Sequence, residues 1–228
     1  MKIVFLTGAG VSKESGLRTF RDSEDGMWGE YSIDDVSSIK GWDKDKEQVI
    51  EFYTMRKQDS SGAEPNDAHK FIAELEKEHE VVVITQNIDN LHEDAGSTNV
   101  IHVHGDINEV RSTLDPKLIY TLQEVGCEDY IKIGSKCEKG SQLRPNIVWF
   151  GEMPFRLQES YNHVHTADLY VVVGTSFVVS TAQNITAFLK DGTPSIIVDP
   201  GEIGGMVKET FDVHIKEIAS TGIKKIFD

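Results

Sequence analysis

Four short, uninterrupted apolar runs constrain the fold of this chain more than any other feature: Ile3–Leu6, Val81–Ile84, Leu169–Val173 and Ile196–Val198. Each is rich in β-branched residues and none alternates with polar positions. A strand of that kind is covered on both faces, which calls for a parallel sheet with helices packed above and below it. Helical segments do lie between the runs. NDAHKFIAELEKEH sets Ala68, Phe71, Ile72 and Leu75 at helical spacing behind a capping Asn66 or Asp67. TAQNITAFLKDG repeats the pattern and ends at Gly192. Such helices are the crossovers a parallel sheet requires, and the fold class is α/β.

With 228 residues the chain can build one sizeable core carrying a smaller lobe, but not two independent domains. Two stretches break the strand-helix rhythm. Residues 27–64 carry tryptophans and are partly helical, whereas 111–146 are of mixed polarity and hold both cysteines. These are assigned to a small lobe, leaving 1–26, 65–110 and 147–228 for the sheet.

Lys and Arg number 23 against 38 Asp and Glu, a formal charge of −15, which argues against a nucleic-acid partner because phosphate binding needs a basic surface. The opening MKIVFLTGAG has five apolar residues before a Thr-Gly break, too few for the core of a secretory leader. No run approaches the roughly 18 residues that cross a bilayer. Two cysteines, Cys127 and Cys137, cannot form a disulfide framework and agree with a reducing compartment. A cytoplasmic protein with no membrane association is expected.

The first strand leads into TGAGVSKESGLRTFRD, where Gly8 and Gly10 allow close backbone approach and a helix start could offer N–H groups to a pyrophosphate. The usual dinucleotide fingerprint has a third glycine where this chain has Lys13, so a tight strand-to-helix turn explains the segment equally well. The second strand ends in TQNIDNLHEDAGS. Its Gln86, Asn87 and Asp89 fall beyond the carboxyl end of a strand, where parallel sheets open their ligand crevice. Amides and a carboxylate there can recognise an amide-bearing ring and ribose hydroxyls, or simply cap a turn. In IHVHGD, His104 precedes Gly105 after another short β run; histidine titrates near neutrality and can act as a general base or fill a structural role.

Taken in order, GAGVSKESGLRTFR, TQNIDNLHEDAGS, HVHG, LRPNIVWFGE and GTS resemble the sirtuin family of NAD-dependent protein deacylases, and they span most of the chain. The resemblance implies a Rossmann-like lobe that binds NAD, a small lobe made of two insertions, and an acyl-lysine protein substrate entering between them. In sirtuins the acyl oxygen attacks C1′ of the nicotinamide ribose and nicotinamide leaves. A histidine corresponding to His104 deprotonates a ribose hydroxyl, and the acyl group ends on ADP-ribose. On the same basis Asn87 and Asp89 would hold the nicotinamide amide, with Ile88 between them, and Gln86 the ribose. Gly8, Ala9, Gly10, Ser12 and Arg21 would surround the phosphates, Phe20 would cover the reacting ribose, and Gly174, Thr175 and Ser176 would line the adenosine side. Val148, Phe150, Gly151 and Glu152 belong to the stretch that resembles the family's substrate-pairing strand, a mode in which backbone hydrogen bonds supply affinity.

In DKEQVIEFYTMRKQ, Val49, Tyr53 and Arg56 share one helical face. An arginine near a helix end is ordinarily solvated and favoured by the helix dipole. Within the sirtuins, though, a Tyr-x-x-Arg here resembles the bacterial branch that removes succinyl, malonyl or glutaryl groups as well as acetyl, the pair binding the distal carboxylate. Guanidinium and carboxylate are well matched for paired, charge-assisted hydrogen bonds.

The resemblance fails at two places. Sirtuins carry a structural zinc on two Cys pairs, but here the positions in register are Ser112, Asp115, Gly134 and Cys137, with Cys127 out of register. One good ligand does not make a tetrahedral site, and zinc is expected to be absent. The lobe would then depend on its own packing, through Leu114, Leu118, Ile119 and Tyr120 on a helix following Pro116. In SIIVDPG the family's asparagine for the adenosine ribose is replaced by Ile197 or Asp199, of which Asp199 can accept hydroxyl bonds; Ala219 is expected against adenine. Two other functions are compatible with the cofactor motifs. An NAD hydrolase or ADP-ribosyl transferase would leave NIVWFGE and Tyr53/Arg56 unexplained, and a non-catalytic NAD-binding module would leave His104, Asn87 and Asp89 together without a purpose.

Overall fold

The structure, a computed structural model, describes residues 1–18, 31–177, 179–203 and 209–227. It divides into two compact units, one from the described residues of Met1–Thr19, Ala63–Val103 and Pro154–Asp228, the other from those of Phe20–Gly62 and His104–Met153. Among the described residues no helix is long and apolar enough to cross a membrane.

The first unit holds six parallel strands: β1 (Lys2–Thr7), β2 (Glu80–Thr85), β3 (Val100–His102), β7 (Leu169–Val173), β8 (Ser195–Val198) and β9 (Val213–Ile215). Their spatial order is β3-β2-β1-β7-β8-β9. The chain winds outward from β1 in one direction, then returns to start again from β7 on its other side. This is the doubly wound, Rossmann-like arrangement, and its topological switch lies between β1 and β7. The uninterrupted apolar runs follow from it. Val4, Leu6, Val82, Ile84, Tyr170 and Val172 enter one core cluster, while Ile3, Phe5, Val81, Val83, Val171 and Val173 enter another. Successive residues of a strand point to opposite faces, so covering both faces selects apolar residues at every position.

The helix Asp67–Leu75 starts with a capping box, in which the Asn66 side chain accepts from Ala68 N and the His69 ring accepts from Asn66 N. Ala68 and Ile72 are buried, with Phe71 and Leu75 packed at the cluster's margin. The second crossover helix is shorter than its pattern implies: it spans Ser180–Thr186, and Gly192 sits six residues farther on at φ 80° in a turn.

In the second unit β4 (Gly105–Ser112) pairs antiparallel with β5 (Ile119–Thr121) and β6 (Leu143–Ile147). This pairing draws 104–110 and 147–153 into the same unit as the insertions. Among the described residues the unit also holds three helices, Ile33–Val36, Ile39–Lys44 and Lys46–Ser61. No helix forms after Pro116. Ile119, Tyr120 and Thr121 instead pair with Arg111, Val110 and Glu109, and Leu114 and Ile119 remain exposed. Two β-formers and a threonine beside an unpaired edge gain a ladder that a helix of a single turn could not match. Buried apolar residues of the unit include Val49, Phe52, Ile107, Val110, Ile131 and Trp149.

Candidate active site

In the first unit, the chain leaves β1 at Gly8 and passes directly against the end of β7. A Cβ on Gly8 would lie 2.8 Å from the Gly174 carbonyl oxygen, and one on Gly10 would lie 2.7 Å from Gly174 Cα. Gly10 N donates to Gly174 O at 2.9 Å. The glycines therefore let two backbone segments touch across the switch point. The helix that follows is a single turn, Ala9–Ser12, so little helix dipole is available there. The loop after β7 carries a second constraint: Phe177 adopts φ 57°, costly for a residue with a Cβ, while its ring is buried. Thr175 is buried and Ser176 partly exposed.

At the carboxyl ends of β1 and β2, three expected site residues meet. Asn87 Nδ2 donates to Ser12 Oγ at 2.9 Å, and Ser12 Oγ donates to Asp89 Oδ2 at 3.2 Å. All three are buried. Asp89 Oδ1 also accepts from Leu91 N, and Asn87 N donates to Thr85 Oγ1. Sequence reasoning missed the support behind this cluster. His102 contacts Asn87 O at 3.1 Å through Nδ1 and Glu93 Oε1 at 2.8 Å through Nε2, so that its ring bridges two acceptors. On the other side, His69 accepts from Asn66 N at Nδ1, which puts its proton on Nε2, 3.5 Å from Ser12 Oγ. Gln86 and Ile88 are partly exposed, with Gln86 N bonded to Thr7 O. Asp199 is buried and caps its own turn by accepting from Gly201 N; Ala219 is buried in the short helix Ala219–Gly222. Phe20 and Arg21 lie outside the described residues.

Two buried histidines link this cluster to pH. Burial lowers His69 to about 4, and it holds His92, whose ring centroid is 4.7 Å from that of His69, well below the ordinary range. Both are neutral in the fold and would gain protons on unfolding near pH 6.5, so stability falls as pH drops from 6.5 toward 4. For His69 alone the loss reaches about 3 kcal/mol. Thermal unfolding should show Tm falling between pH 6.5 and 5, before most carboxylates titrate; a flat Tm over that window contradicts neutral burial.

In the second unit, the stretch 148–152 fastens the remaining expected residues. Val148 N donates to His104 O at 2.9 Å. Gly105, at φ 94°, has no room for a side chain: a Cβ would lie 1.9 Å from Asn146 O. His104 thus sits at the start of a strand whose register with β6 shifts between Gly105 and Val110. Trp149 Nε1 donates to Tyr53 Oη at 3.0 Å, and Tyr53 Oη shares a proton with Ser37 Oγ at 3.2 Å. Phe150 N donates to Ser37 O, and the Phe150 side chain is exposed. Gly151 turns the chain at φ 91°. Glu152 faces inward, accepting from Arg111 Nη2 at 2.8 Å, from Arg144 Nη1 and Nη2 at 2.9 Å, and from Trp149 N at 2.9 Å. Burial opposes its charge, but the Arg144 and Trp149 hydrogen bonds and both guanidinium charges outweigh that and hold the carboxyl below its usual range. Tyr53 is buried on the helix Lys46–Ser61, and Arg56, one turn later, is half-buried. Burial raises the Tyr53 phenol even though Ser37, Trp149 and the charges of Arg144 and Arg56 act the other way.

Where zinc cysteines would be sought, Cys137 Sγ lies 3.3 Å from Ser112 Oγ and 3.2 Å from Ser141 Oγ, and the two hydroxyls are 2.8 Å apart. Those hydrogen bonds draw the thiol down to about 7. Asp115 is paired with Lys139 at 2.7 Å. Both cysteines are free.

A model of the Sir2 family matches residues 8–181. An NAD-dependent protein deacylase of Bacteroides thetaiotaomicron is 39% identical over 225 residues, covering 98% of this chain and 95% of that protein. One from Helicobacter pylori is 42% identical over 198 residues, covering 87% and 84%. Among solved structures, a complex of a Sir2 homologue with ADP-ribose superposes with a TM-score of 0.87 at 38% identity, covering 99% of this chain and 90% of the other. A complex of a Sir2 homologue with NAD gives 0.84 at 37%, covering 99% and 87%.

Proposed function

The chain belongs to the Sir2 family, and from that premise we propose that it is an NAD-dependent protein-lysine deacylase of the bacterial type, removing succinyl or malonyl groups and also acetyl. The observation that carries the reading furthest is the buried Ser12–Asn87–Asp89 chain at the carboxyl ends of β1 and β2, in a family whose relatives act as deacylases. Its polar groups suit NAD: an amide, a hydroxyl and a carboxylate, beside a turn where glycines at 8, 10 and 174 let two backbone segments touch.

Asn87 and Asp89 would orient the nicotinamide amide, Gln86 the ribose, Gly8, Ala9, Gly10 and Ser12 the phosphates, and Gly174, Thr175, Ser176, Asp199 and Ala219 the adenosine. Bound NAD supplies an electrophilic ribose carbon and a leaving group, so that the acyl group ends on ADP-ribose. His104 would take a proton from a ribose hydroxyl at a ring nitrogen, a task that imidazole side chains perform as general bases. Val148, Phe150 and Gly151 would offer backbone to the acyl-lysine peptide, with Glu152 fixing their turn. The second unit is proposed to fold without zinc, because its cysteine sulfur at 137 is engaged with two serine hydroxyls and Asp115 with a lysine. Free cysteines agree with a reducing, cytoplasmic compartment.

Arg56 and Tyr53 are assigned the distal carboxylate of an acidic acyl chain. Losing a charged hydrogen-bond partner costs about 1.5–3 kcal/mol. Arg56→Met should therefore lower kcat/KM on a succinyl-lysine peptide by about ten- to a hundredfold relative to the matched acetyl peptide. An unchanged ratio would show that Arg56 does not read the acyl group.

A further inference from the structure

The hydroxyl of Tyr53 is not oriented by Tyr53 itself. An indole N–H can only donate, so the bond from Trp149 Nε1 to Tyr53 Oη, 3.0 Å, makes the phenol oxygen an acceptor on that side. The single phenolic proton then points elsewhere, and among the described residues Ser37 Oγ, 3.2 Å away, is in reach to accept it. Trp149 is in turn held hard. The Arg144 guanidinium carbon lies 3.3 Å from its ring centroid, Trp42 packs at 5.6 Å, and its backbone N–H is tied to Glu152. Only 1% of Trp149 and 2% of Tyr53 is exposed, so neither side chain can reorient into solvent. Ser37 is bound to the same turn through Phe150 N.

We infer that Trp149 is a specificity-determining positioning residue, which directs the Tyr53 proton toward the acyl site, and that Ser37 occupies as acceptor the place a distal acyl carboxylate would take. This rests on the proposal that Tyr53 and Arg56 read an acidic acyl chain. Phenylalanine at 149 would keep the ring but lose the N–H, letting the phenolic proton turn away. Alanine at 37 would remove the hydroxyl that competes with the carboxylate.

The test measures KM and kcat on succinyl- and acetyl-lysine versions of one peptide for wild type, Trp149→Phe, Ser37→Ala and Arg56→Met. Trp149→Phe should raise the succinyl-to-acetyl KM ratio by about three- to tenfold, with no matching change in the kcat ratio. Ser37→Ala should lower the same KM ratio by about two- to threefold. Loosened packing cannot produce that opposed pair of effects, and Ser37→Ala keeps the test alive if Trp149→Phe fails to fold. Equal shifts on both peptides, or a rise in the ratio for Ser37→Ala, overturn the inference. If Arg56→Met loses the succinyl preference while the other two ratios stay put, only the role of Trp149 and Ser37 fails. If all three leave the ratio unmoved, the carboxylate reading itself falls.

Discussion

His104→Ala is expected to lower NAD-dependent turnover of succinyl- and acetyl-lysine peptides alike by about 10²- to 10⁴-fold, the range over which a positioned general base contributes. The effect should be common to both substrates because the proton His104 takes does not belong to the acyl group. Folding should be little affected. Among the contacts at this position are two made by backbone, from Val148 N to His104 O and by the tight packing of Gly105 against Asn146, and alanine leaves those in place. Steady-state kinetics alongside a thermal melt would check this. Turnover within a few-fold of wild type, in a variant with unchanged Tm, would remove His104 from the chemistry.

Glu152→Ala should produce the largest loss of stability, about 3–5 kcal/mol, since taking away one member of a buried ion cluster strands the others. The Glu152 carboxylate satisfies Arg111 and Arg144, whose side chains are 9% and 6% exposed, together with the backbone N–H of Trp149. Without it two guanidinium groups repel one another in a poorly solvated site. Burial and the neighbouring Arg144 already push Arg111 below its ordinary range. Urea unfolding would give the number. A loss below about 1 kcal/mol would mean that water reaches the arginines and the cluster is no staple.

The sheet was legible in the sequence where strands are covered on both faces, because there the chain must write unbroken apolar runs. It was less so at β9, Val213–Ile215, a three-residue edge strand with no buried run of its own. The helix expected after Pro116 shows the limit of local reading. Spacing at Leu114 to Tyr120 is compatible with a turn of helix, but the free edge of β4 is a long-range partner that spacing does not encode. Similarly, Gly8 and Gly10 signal a close approach without saying by what, and in the fold it is Gly174, over 160 residues away. Ser12, Asn87 and Asp89 could be singled out as residues of the right chemistry at the right ends of strands. That they hydrogen-bond into one chain, or that His102 and Glu93 brace it, depends on register between strands. Trp149 and Arg144 lie in the stretch LRPNIVWFGE, which marks a substrate-pairing strand by resemblance, but their contacts with Tyr53 and Glu152, like that of Ser37 at the end of the helix Ile33–Val36 with Tyr53, join residues whose pairing no local spacing encodes.

Coupling of acyl transfer to NAD cleavage can be measured by following nicotinamide release from NAD with and without a succinyl-lysine peptide. One nicotinamide should be released per acyl group removed, with release near background when the peptide carries an unmodified lysine. Nicotinamide released at the same rate with no acyl-lysine present would contradict it and make the protein an NAD hydrolase.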